Sequence, residues 1–198
     1  MKSSWSALVV ITGLMATAGA SASHAQISSP IGFGLVGGSS SPAGPLSDLA
    51  KSGWHAGAFI ELNLPVLPIG FRLEGAWHQF HDKPIAGGGG STGARIEAGT
   101  LNATYTLLPL PIIKPYLIGG VGEYNVRLTS PVVVPQPPAG GEGTTGGTTT
   151  QTKAGMNVGA GVRVQLGGVA AFVEARWHDV FTSGKDVQMV PVSVGLRF

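Results

Sequence analysis

The stretch Asn157-Val158-Gly159-Ala160-Gly161-Val162-Arg163-Val164-Gln165-Leu166, the pair Gly167-Gly168, and then Val169-Ala170-Ala171-Phe172-Val173-Glu174-Ala175-Arg176-Trp177-His178 decide the fold. In the first run Val158, Ala160, Val162, Val164 and Leu166 alternate with Asn157, Gly159, Gly161, Arg163 and Gln165, which is the two-residue period of a β-strand. In the second, Ala171, Val173, Ala175 and Trp177 oppose Phe172, Glu174, Arg176 and His178. A two-residue Gly-Gly link between such runs is a hairpin turn. Its register sets Gly161 across from Glu174, with Arg163 and Arg176 as near neighbours of that carboxylate.

The same period runs outward from this hairpin in both directions. Ile31, Phe33 and Leu35 oppose Gly32 and Gly34. Trp54, Ala56, Ala58, Ile60 and Leu62 oppose His55, Gly57, Glu61 and Asn63. Ile69, Phe71, Leu73, Gly75 and Trp77 oppose Gly70, Arg72, Glu74, Ala76 and His78. Over residues 95–107, Leu101, Ala103, Tyr105 and Leu107 oppose Asn102, Thr104 and Thr106, while the start of that run is out of phase, as a β-bulge would make it. Residues 116–124 form a fifth run whose glycines blur its faces. Val190, Val192, Val194, Leu196 and Phe198 oppose Ser193, Gly195 and Arg197. With the opening hairpin, that makes eight strands.

The links alternate in length, as they do in a meander that crosses a membrane. Residues 65–68, 109–114 and 167–168 are short and are expected to face the periplasm. Residues 38–53, 79–94, 127–153 and 179–186 are long and are expected outside the cell, the third of them a mobile loop because 135–138 and 140–150 are of low complexity. The expected fold is all-β, an eight-stranded antiparallel up-and-down transmembrane β-barrel.

A soluble periplasmic barrel also alternates, with its apolar face inward. Two features favour the inverted arrangement. The polar face carries opposed charges, with Glu61 across from Arg72, which suits a narrow lumen where a lone charge is costly. The aromatics Trp54, Trp77 and Trp177 band at the loop ends, and Tyr105, Tyr116 and Phe198 at the turn ends, as interfacial girdles do.

Composition agrees. The 198 residues include 32 glycines and no cysteine, only 11 % are charged, and the net charge is +2. Disulfides and thiolate metal sites are excluded, and no basic field exists for nucleic acid. Lys2, the apolar run 7–15 and Ser23-His24-Ala25 read as a secretory signal peptide over residues 1–25, leaving residues 26–198 as the barrel domain. Gln26 rather than cysteine follows the cleavage site, so no lipoprotein anchor is expected. No later run reaches the roughly 20 apolar residues of a spanning helix.

The terminal residues Val190-Pro191-Val192-Ser193-Val194-Gly195-Leu196-Arg197-Phe198 resemble the C-terminal signal of bacterial outer-membrane proteins. Pro115-Tyr116-Leu117-Ile118-Gly119-Gly120-Val121-Gly122 and Asn157-Val158-Gly159-Ala160-Gly161-Val162 are similar to strands of small OmpA/OmpX-like or porin-family barrels. The resemblance implies a Gram-negative cell envelope, the outer membrane as location, and delivery through the export and barrel-assembly machinery that reads the last strand. It extends to no peptidoglycan-binding domain, so wall tethering is not implied.

Candidate chemical residues are few. His55, His78 and His178 fall on inward faces near the loop ends, with His81, Asp82 and Asp179 adjoining; they read as lumen-mouth packing, since no tight metal-ligand spacing exists and the strand of His178 is not next to the other two. A lipid-modifying enzyme would need His78 or His178 with Ser183 or Ser91 and Asp179, and nothing in the sequence orients those serines. Gly87 to Gly90 lack the Lys-Ser/Thr of a phosphate loop. Glu61, Arg72, Glu74, Arg163, Glu174 and Arg176 read as mutually satisfying structural charges, with a gate or proton relay as the second reading. No catalytic, metal or cofactor site is assigned. The expected protein is a non-enzymatic, monomeric outer-membrane barrel in contact with lipid, whose loops serve adhesion, defence or envelope integrity toward an extracellular partner the sequence does not identify. A lipid-modifying barrel enzyme and a soluble ligand-binding barrel are the alternatives.

Overall fold

Alternating apolar and polar residues form eight strands in the computed structural model, which describes residues 30–64, 66–84, 91–108, 110–134, 143–182 and 186–198. They are β1 (Ile31–Ala43), β2 (Ala50–Asn63), β3 (Ile69–Pro84), β4 (Ser91–Thr106), β5 (Ile113–Val134), β6 (Gly143–Leu166), β7 (Val169–Val180) and β8 (Val187–Arg197). Each pairs antiparallel with the next, and β8 returns to β1, so the sheet is a closed up-and-down barrel. Phe33 and Phe198 seal the seam by exchanging backbone hydrogen bonds at 3.2 and 2.8 Å, and their rings stack. Closure leaves no unpaired edge, which strands in hydrocarbon require.

The orientation of the faces separates a membrane barrel from a soluble one. Phe33, Leu73, Val121 and Val194 are 60–64 % exposed, whereas Glu61 and Arg72 are 0 % exposed. Charge lies inside and hydrocarbon side chains outside, so the barrel is transmembrane and lipid covers its wall. The opposed pairs follow the expected register, with Glu61 across from Arg72 and Gly161 across from Glu174.

Many inward glycines are seats for large side chains. A Cβ at Gly161 would lie 2.6 Å from the Tyr116 ring, one at Gly32 2.6 Å from the Arg197 guanidinium, and ones at Gly34 and Gly195 would strike Phe59 and Phe172. An eight-stranded lumen is just wide enough to be filled by side chains. Bulk on one strand is therefore matched by its absence on the next.

The structure corrects four expectations. Tyr116 is buried and points into the lumen, so it is no part of the turn-end girdle. The expected long loops are mostly strand: residues 39–43 extend β1, 79–84 extend β3, and 127–134 pair with 143–150. The part of the low-complexity segment at 143–150 is thus sheet, while 135–142 lie outside the described residues. The bulge expected at the start of the fourth strand is absent from β4 itself, whose register with β5 is unbroken from Gly93 to Thr106; the pairing slips instead on β3, between Gln79 and Lys83. What changes near residue 98 is polarity rather than phase. Ala94, Ile96 and Ala98 continue the inward face of Thr100 and Asn102, because at the loop end the strands have left the hydrocarbon and the inside becomes the apolar side.

Candidate functional site

The lumen is built in layers, each set by inward positions two residues apart on the strands. Nearest the turns is an ion network of Arg72, Arg163, Arg176 and Arg197 with Glu61, Glu74 and Glu174. Arg72 donates to Glu61 from Nε at 3.0 Å and Nη2 at 2.9 Å, and to Glu174 Oε2 from Nη1 at 3.0 Å. Its guanidinium sits 4.5 Å from the Phe59 ring and 5.1 Å from that of Phe172. The Tyr116 hydroxyl donates to Glu174 Oε2 at 2.7 Å. Arg163, a near neighbour of Glu174 in the expected register, reaches across the lumen and binds the Glu61 carboxylate at 2.8 Å. Arg176 donates to Glu74 and pairs with Glu174 Oε1 at 2.7 Å as a charge contact. Buried arginines tolerate such a site only when carboxylates surround them.

One layer toward the loops lie the histidines. The rings of His55 and His78 stack at 5.2 Å, and His178 meets His78 at 6.0 Å from the far wall. Ser40 Oγ lies 2.8 Å from His78 Nδ1 and 3.2 Å from His55 Nδ1, and His55 Nε2 is 2.9 Å from Ser193 Oγ. A single hydroxyl proton serves one of those two Nδ1 atoms, so the other imidazole carries its proton on Nδ1 and donates it to Ser40. Tyr124 OH is 2.9 Å from His178 Nδ1. The strand of His178 is not next to the other two, as expected, but a narrow barrel sets β7 opposite β3 and brings the rings together across the lumen. Among the described residues no three His, Asp or Glu side chains are arranged to hold a metal.

Ser40 and Tyr124 are histidine partners that the sequence reading did not single out, and Ser193, expected on the inward face, proves to be the partner of His55. Stepping two residues at a time from Gly32 reaches Ser40, and the signal was there. Of the serines it did name, Ser91 is exposed and donates to Asp82 at 3.3 Å, far from the histidines, and Ser183 lies outside the described residues. Gly87 to Gly90 also lie outside them.

Above the histidines the lumen is closed by an apolar cluster that includes Leu46, Phe80, Ile96, Val126, Val180 and Met189, all under 5 % exposed. Leu46 belongs to a short 3-10 turn (Gly44–Asp48) between β1 and β2 that folds inward as a stopper. Over it opens a cavity of about 500 Å³, walled by Leu46, Leu49, Val126 and Leu128, with Asp48, Lys153 and Asp186 among its polar groups. Chemically, the lumen is a filled core in which four arginines share three carboxylates, and the apolar concavity opens at the mouth.

No protein-family model and no curated protein sequence matches this chain. Among solved structures it is similar to Neisserial surface protein A, at 17 % identity over 85 % of this chain and 96 % of that one, TM-score 0.60. It is also similar to a major outer membrane protein of Thermus thermophilus, at 14 % identity over 85 % and 98 %, TM-score 0.56. The chain has the fold of the small outer-membrane barrels.

Proposed function

We propose that this chain is a non-enzymatic surface protein of the outer membrane, in which the barrel is the anchor and the loop-end mouth is the part that recognises. The observation that carries the reading is the inversion along each strand: apolar outside and ion-paired inside through the belt, then apolar inside and polar outside beyond it. Such a body sits across a bilayer with one end standing in water. The Ser40–His78 contact offers a hydroxyl beside an imidazole, but it is sealed under the apolar cluster, where no lipid substrate reaches it, and this supports a structural role over hydrolysis. The mouth cavity is the concave surface suited to an extracellular partner, in adhesion, defence or envelope integrity.

On this reading residues 1–25 are removed on export, the last strand through Phe198 engages the assembly machinery, the barrel works as a monomer, and the turn end faces the periplasm. The test is gel mobility of unboiled against boiled protein from the outer-membrane fraction. A shift on boiling is expected of a closed, lipid-embedded barrel; a protein that stays dissolved without detergent defeats the membrane assignment. Replacing His78 and His178 by alanine tests the rest: loss of a lipid-modifying activity with the heat shift intact would make the chain an enzyme.

A further inference from the structure

On the outer wall, just loopward of the Trp77 girdle position, Arg95 of β4 and Arg127 of β5 are direct cross-strand partners. Like charges facing each other in an antiparallel pair destabilise the sheet unless something negative lies between them. Among the described residues neither arginine pairs with a carboxylate within 4.0 Å. Arg95 is nonetheless held in place: its guanidinium lies 4.5 Å over the Trp77 ring, and its Nε donates to Gln79 Oε1 at 3.0 Å. The two arginines line a polar groove of about 350 Å³ whose other wall carries Thr129, Thr148 and Thr150. Among the described residues that line it Asp82 is the one carboxylate, and it accepts the Ser91 hydroxyl at 3.3 Å. Glu97 is two residues below Arg95 on the same face, level with Trp77.

We propose that this groove binds the phosphate group of a lipid in the surrounding leaflet. Two arginines from adjacent strands line the same groove, Arg95 anchored toward β3 by Trp77 and Gln79 and Arg127 across from it on β5, and together with the threonine hydroxyls they supply donors for the oxygens of a phosphate monoester. Depth selects the source: the site is on the lipid-facing side of the wall and adjoins an aromatic girdle, which marks the headgroup level. The inference rests on the membrane placement proposed above, which the heat-shift assay tests on its own.

The experiment reconstitutes the mature chain in phosphatidylcholine vesicles and measures the motionally restricted fraction of spin-labelled phosphatidic acid against spin-labelled phosphatidylcholine. Two surface arginines are expected to favour the phosphatidic acid by about tenfold. The R95Q/R127Q variant, its folding checked by heat shift, is expected to lose that preference, and R127Q alone to lose most of it. The lysine pair R95K/R127K keeps the charge without the fork and is expected to fall well below wild type. An absent preference in a folded wild-type barrel, a preference undiminished in R95Q/R127Q or in R95K/R127K, or arginine-dependent binding of inorganic phosphate in detergent without any lipid preference would each overturn the proposal.

Discussion

Arg72 shows how much a single side chain carries in a lumen this narrow. It is fully buried, holds Glu61 and Glu174 at once, and rests against the rings of Phe59 and Phe172. Replacing it with methionine leaves Glu61 to Arg163 and Arg197 and Glu174 to Arg176 and the Tyr116 hydroxyl, so the loss expected is that of hydrogen bonds rather than of a bare buried charge, about 1–3 kcal/mol, read as the urea midpoint of tryptophan fluorescence in vesicles. Ser40→Ala removes a hydroxyl that serves two imidazoles and is expected to cost about 1–3 kcal/mol, measured in the same way. The pairing of Glu61 with Arg72 was legible from the chain alone, because a short turn and a period of two fix which residues face each other. The contact between Arg72 and Glu174, 102 positions apart, was not, since it depends on barrel diameter rather than on local pattern. Tyr116 was misplaced for a different reason: Gly119, Gly120 and Gly122 sit on both faces of β5 and leave its phase unmarked.

For the elements, one strand serves two solvents. On β4 the belt positions Leu101, Ala103 and Tyr105 meet lipid tails, and six residues before Leu101 Arg95 occupies the same face beyond the hydrocarbon, one step past the level of Trp77. A reader of sequence who holds the polarity fixed takes this reversal for a slip of register or for a loop, and that is why the strand extensions went unseen. The two regions respond differently to substitution. Leu101→Arg places charge in the belt and is expected to cost about 2–4 kcal/mol of folding into vesicles. Leu46→Ala empties the stopper instead, for about 2–5 kcal/mol, and the loss should be confined to the loop end: hydrogen exchange of β1 and β2 near Ser40 and His55 accelerates while amides of the belt keep their protection.

At the scale of the whole molecule, the filled lumen and the apolar stopper oppose conduction. Planar-bilayer recordings of the reconstituted chain are expected to show no step conductance, and frequent steps in the wild type would mean that the lumen layers part readily. The order of assembly follows from the same arrangement. The stopper residues come from β2 to β5, β7, β8 and the 3-10 turn, so the mouth takes shape only once the ring has closed.

The glycine seats constrain how such a chain can change over generations. Phe172 fits because Gly195 has no side chain, and Phe59 because Gly34 has none. Enlarging either glycine should abolish insertion, and shrinking its phenylalanine partner does not make room, because a Cβ at Gly34 would also lie 2.3 Å from the Leu196 carbonyl and one at Gly195 2.7 Å from that of Leu35. Descendants of this gene should therefore hold glycine at 34 and 195 while the rings opposite them vary in size, so that the fixed positions mark where the seam of the cylinder is tightest.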